Sequence, residues 1–117
     1  MRRAAVIGVI SMSLFITAPP SASASGGACR AFTIGVTECV ASFIVGPQGL
    51  QESVQFDYSV PNKLFLDVDF SGPSGLIRYH CNTPVCYSER HGTIGPGQVV
   101  TLKANATGVG GWEASGH

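Results

Sequence analysis

The sequence is poor in charge: seven Lys and Arg stand against seven Asp and Glu in 117 residues. It has no basic cluster. A duplex nucleic-acid binder needs a cationic face to neutralise phosphates, and beyond the first three residues only Arg30, Lys63, Arg78, Arg90 and Lys103 are available, scattered along the chain. Nucleic acid is excluded as a primary partner on that ground. No stretch repeats its apolar residues with a helical period between capping residues, so helices are not expected. No serine lies in a Gly-x-Ser-x-Gly turn of the kind that exposes a nucleophile, which disfavours a serine hydrolase. Apart from the N-terminal segment, no apolar run approaches membrane-spanning length, and no membrane association is expected. Nothing calls for a cofactor.

What is present begins with a leader. Met1-Arg2-Arg3 is a short positive segment, Ala4 to Ala18 is apolar, and Pro19-Pro20 ends the run. Ala22-Ser23-Ala24 places small residues where a signal peptidase requires them, so 1–24 reads as a signal peptide and 25–117 as one secreted domain. Lipidation at Cys29 would need an aliphatic residue three positions earlier, and Gly26-Gly27-Ala28 lacks one. With the two leader arginines gone, five cations face seven carboxylates. A domain this short buries a limited core and gains from covalent staples. Its four cysteines, exported into an oxidising compartment, read as two disulfides.

The dominant period is two. Val54, Phe56, Tyr58 and Val60 alternate with polar residues, and Leu64, Leu66, Val68 and Phe70 repeat the pattern around Asp67 and Asp69. Pro61-Asn62-Lys63 between them has turn chemistry, so these segments are expected to form an antiparallel hairpin. Shorter strand signals lie at Phe32–Val36, Val40–Val45, Leu76–His80, Val85–Ser88 and Val99–Ala104, separated by Gly/Pro turns at 46–49, 71–75 and 95–97. About seven short strands point to an all-β, immunoglobulin-like Greek-key sandwich. The Gly-rich tail after Thr107, with the sole tryptophan Trp112, reads as a final edge strand or a loose end.

Three groups of residues could carry chemistry. Asp67 and Asp69 share a strand face and could bind a hard cation or act as an acid/base pair, although a wet hairpin face has the same appearance. His80, Cys81, Cys86 and His91 have zinc-like spacing, but an oxidised cysteine pair cannot ligate as thiolates, so no metal site is expected. Four cysteines allow three connectivities. Local pairing, Cys29 with Cys39 and Cys81 with Cys86, is favoured because closing such loops contributes roughly 2–3 kcal/mol each. The alternative is a bridge between sheets, with Cys29 and Cys81 as partners.

The layout C-x9-C, long intervening strands and C-x4-C, with Gly35-Val36 in the first loop and Cys81-Asn82-Thr83-Pro84-Val85-Cys86 as the second, resembles the neocarzinostatin family. Members of that family are secreted immunoglobulin-like sandwiches whose two local disulfides flank a cleft for an apolar chromophore. The resemblance spans about Cys29 to Val100 and implies a cleft near Phe32, Phe43 or Ile44, Phe70 and Tyr87. In the family about two strands precede the first cysteine. Here only Ser25–Ala28 do, which implies that Gly97–Trp112 supply the missing strands, as in a permuted sandwich.

Two expectations of function follow, both non-catalytic. One is carriage of an apolar small molecule in an aromatic-lined concavity. The other is inhibition of an extracellular hydrolase, an α-amylase or a protease, through a rigid turn. The candidate turns are Cys81–Cys86, stapled at both ends, and Tyr87–Gly95, from which Arg90 and His91 would project. The Trp-Arg-Tyr triplet of the secreted amylase inhibitors is absent here, although Ile77-Arg78-Tyr79 occupies a comparable strand.

Overall fold

A computed structural model describes residues 22–23, 25–59 and 62–117. Most of the leader and the cleavage position at Ala24 lie outside the described residues. The described residues form seven strands: β1 (Ala22–Ser23), β2 (Gly27–Ile44), β3 (Glu52–Asp57), β4 (Lys63–Ser71), β5 (Gly75–Asn82), β6 (Val85–Gly92) and β7 (Val99–Gly116). They hydrogen-bond as one sheet in the order β1-β2-β7-β4-β5-β6, with β3 also paired to β7. Among the described residues, only β1 is parallel to its neighbour. The all-β expectation therefore holds, and no described residue is helical.

The β2–β7 ladder organises everything else. It runs without interruption from Gly27 opposite Gly116 to Ile44 opposite Val99. Ten residues of straight strand span about 33 Å, yet the Cα atoms of Cys29 and Cys39 are 5.9 Å apart. The ladder is thus folded in half. Gly35 and Gly108 face each other at the crease, with φ of +94° and +117°, a region that L side chains rarely enter. At Gly108 a side chain would also meet the Lys63 carbonyl oxygen. Two layers result. The first holds the N-terminal part of β2, the C-terminal part of β7, and β3; the second holds the remaining parts with β4, β5 and β6. Because one sheet is folded over, its single apolar face closes on itself.

That face carries the core. Leu64, Leu66, Val68 and Phe70 of β4, Val100, Leu102, Ala104 and Ala106 of β7, and Phe43 of β2 are all fully or almost fully buried. Removing each large side chain from water contributes roughly 1.5–3 kcal/mol. Inside the crease, Trp112 Nε1 donates to Thr33 Oγ1 at 2.8 Å, and Thr33 Oγ1 donates to Thr37 Oγ1 at 3.0 Å. Thr33 is fully buried, and this chain supplies the partners its hydroxyl needs.

Two sequence expectations change. The segments at 53–60 and 64–70 are strands but do not pair as a hairpin. β3 pairs residues 111–116 of β7, whereas β4 pairs residues 101–109, so they lie end to end along one edge of β7 and in opposite layers. Alternation reports which face is buried and not which strand lies alongside. The tail after Thr107 is neither edge nor loose end: it is the C-terminal part of β7, paired on both sides. Glycines at 108, 110 and 116 occupy its inward positions and hide the alternation. Cleavage after Ala24 would remove β1, which pairs only Ser42 and Phe43, and no residue of the core.

Candidate functional site

Both disulfides are local, Cys29–Cys39 and Cys81–Cys86. The first closes the folded ladder; the second closes the β5–β6 hairpin beside its two-residue turn Thr83-Pro84. That turn is tied to the start of β4. Thr83 N and Thr83 Oγ1 both donate to Leu64 O, at 3.0 and 2.9 Å, and Leu64 N donates to Thr83 Oγ1 at 3.0 Å. Pro84 and Cys86 are held in this way as one wall of a groove.

The other wall is β3. Its inward residues Glu52, Val54 and Phe56, followed by Tyr58, face the inward side of β5 and β6 across the gap between layers. Glu52 fixes the separation. Its Oε2 accepts from Tyr79 Oη at 3.1 Å and from Arg90 at 2.7 Å, joining β3 to β5 and β6. Burial pushes the Tyr79 phenol up, and the neighbouring Glu52 charge pushes it further, against a smaller opposing effect of Arg90. Past this polar clamp, toward the C-terminal end of β3, lies a groove between the layers. Val54, Gln55, Phe56 and Tyr58 on one side and Pro84 and Cys86 on the other border an open groove of about 390 Å³. Phe56 and Tyr58 meet edge to face with ring centroids 6.1 Å apart, which leaves Tyr58 64% exposed at the groove mouth.

The four positions implied for a cleft do not come together. Phe43 and Phe70 have no exposed surface and belong to the core. Phe32, 54% exposed, lies on the outer surface near the crease, and Tyr87, 72% exposed, lies on the outer face of edge strand β6. Neither borders the groove. The groove aromatics, Phe56 and Tyr58, read in sequence as packing residues, because alternation cannot tell whether the opposite layer extends far enough to cover them.

The other candidates resolve into structural pairs. Asp67 Oδ1 lies 2.7 Å from His80 Nδ1, and Asp69 receives the Arg78 guanidinium at 2.9 Å. His80 and His91 lie on the outer face, with Glu89 3.6 and 3.2 Å from them. The hydrogen bond from His91, assisted by the His80 and Arg78 charges, holds the Glu89 carboxyl below its ordinary value. Among the described residues no group of three His, Cys, Asp or Glu side chains is arranged to hold a metal ion, and both cysteines of the zinc-like spacing are oxidised. Tyr87–Gly92 is regular strand rather than a turn, and the exposed Arg90 side chain pairs with Glu52 at 2.7 Å. No described helix is long and apolar enough to cross a membrane.

No family model, no curated protein and no solved structure matches this chain.

Proposed function

We propose that this chain is a secreted, non-catalytic binding protein that carries an apolar small molecule in the groove between β3 and the β5–β6 hairpin. The observation that carries the reading is the aromatic groove itself. Val54, Gln55, Phe56 and Tyr58 oppose Pro84 and the disulfide-bonded Cys86 around about 390 Å³, within the range of roughly 300–1,000 Å³ for small-molecule sites. Its walls are preset, one by the second disulfide and the Thr83–Leu64 hydrogen bonds, the other by the Glu52 clamp, so little ordering cost falls on the ligand. The leader-like N-terminus and the two disulfides accord with export to an oxidising compartment. The local pairing of both bridges accords with the resemblance to the neocarzinostatin family, with the site shifted from the positions that the resemblance implied.

A second reading, inhibition of an extracellular hydrolase, is favoured by a different observation. At the crease the outward side chains of β2 are Phe32, Ile34 and Val36, all exposed and stapled at their base by Cys29–Cys39. Rigid apolar projections of this kind are what a partner protein's pocket can receive.

The experiment is a fluorescence titration of the oxidised protein with N-phenyl-1-naphthylamine, a neutral bicyclic aromatic dye. Carriage predicts saturable one-to-one enhancement that weakens about tenfold in Tyr58→Ala, the scale of one lost aromatic contact, and is unchanged in Ile34→Ala. Absence of saturable binding, with potent inhibition of an amylase or protease that Ile34→Ala abolishes, would favour the second reading.

A further inference from the structure

A second concavity lies on the outer face of the first layer. There the even-numbered residues of β2 and the odd-numbered residues of β3 and β7 point outward. Register places Phe32, Gly111 and Asp57 in one row across the three strands, and Arg30, Glu113 and Gln55 in the next. Gly111 has no side chain, so the middle of the first row is a depression between an aromatic ring and a carboxylate. With the second row it encloses about 430 Å³. The depression requires glycine: a Cβ at Gly111 would lie 2.9 Å from Asp57 Cβ and 3.4 Å from Asp57 Oδ2.

The rim is organised. Asp57 Oδ1 accepts from Ser59 N at 2.9 Å and from Ser59 Oγ at 2.6 Å, and these bonds hold its carboxyl below the ordinary aspartate value. Asn62 ties Asp57 to the floor, donating to Asp57 O at 2.6 Å and accepting from Gly111 N at 3.2 Å. Asp57 Oδ2 is thereby turned over Gly111. Among the described residues, neither Arg30 nor Glu113 makes an ion pair, though they stand directly opposite each other.

The lining selects a ligand class. An apolar molecule would desolvate three charged groups without pairing them. A phosphate would meet two carboxylates and one guanidinium, and a small cation would meet Arg30. A pyranose ring satisfies all of them. Its C–H face packs on the Phe32 ring, while its hydroxyls donate to Asp57 and Glu113 and accept from Arg30 and the Gln55 amide. From this geometry we infer that the Phe32–Gly111–Asp57 saddle is a saccharide-binding site, separate from the interlayer groove.

The test is ¹H–¹⁵N chemical-shift mapping of the oxidised protein with cellotriose and maltotriose, with choline and inorganic phosphate as competing classes. Binding of either trisaccharide, seen as saturable shifts at the Gly111 and Glu113 amides, is expected. Phe32→Tyr should retain it, Phe32→Ala should weaken it about tenfold, and Tyr58→Ala should leave it unchanged. The assignment is overturned if neither trisaccharide shifts these amides at about 10 mM, a concentration that would reveal millimolar affinity. It is equally overturned if choline or phosphate shifts them instead, or if Phe32→Ala binds as the native protein does.

Discussion

Trp112 and Thr33 meet inside the folded ladder, where the indole Nε1 donates to the threonine hydroxyl at 2.8 Å with both residues buried. Thr33→Val conserves shape and removes the acceptor, leaving an indole N–H with no partner and no water. The expected cost is about 1–3 kcal/mol, read as a lower urea midpoint at unchanged slope.

The crease separates two kinds of glycine requirement. Gly35 needs its positive φ but has open space around it, whereas Gly108 needs positive φ and also lies against the Lys63 carbonyl. Gly35→Ala should cost about 1–2 kcal/mol, the strain of a left-handed L residue, and Gly108→Ala distinctly more. Thermal unfolding of the two variants compares them directly.

The two disulfides close loops of different length. In the chain-entropy account, Cys29→Ala/Cys39→Ala should cost about 3 kcal/mol and Cys81→Ala/Cys86→Ala about 2 kcal/mol. Denaturant unfolding of each pair variant measures this order, and the reverse order would show that strain rather than loop entropy dominates.

Asp57 sets a pH dependence whose sign is fixed. Hydrogen bonds from the Ser59 side chain and then its backbone N–H depress the folded carboxyl below 3.8, against a small opposing effect of burial. The ionised group therefore adds stability above the ordinary aspartate value, and that increment is lost as pH falls through the lower folded value. Ser59→Ala removes the larger contribution and leaves the backbone one. An NMR titration of the Asp57 carboxyl should show its midpoint rise part of the way back.

How far these features were legible in the sequence depends on the element. β4 was plain, because Leu64, Leu66, Val68 and Phe70 alternate with exposed residues and all four are buried. The N-terminal part of β2 reads inverted. Phe32, Ile34 and Val36 look like a buried face, yet they point outward, and Cys29, Ala31 and Thr33 point in because the disulfide must close inside the fold. The resemblance placed Phe32 in a cleft, and its outward orientation keeps it out of the interlayer groove. The crease was invisible, since two glycines 73 positions apart acquire meaning only from the register that opposes them. The groove was half legible: its disulfide wall could be anticipated from Cys81 and Cys86, but its β3 wall depends on which layer β3 joins.

An apolar ligand carried in the gap between β3 and the β5–β6 hairpin would touch side chains of both walls. Intermolecular nuclear Overhauser effects between bound N-phenyl-1-naphthylamine and the oxidised protein test it most directly. Carriage in this groove gives cross-peaks to Val54, Phe56, Tyr58 and Pro84 and none to Phe32 or Ile34; cross-peaks confined to the Phe32–Val36 crease, or none at saturating dye, would rule it out.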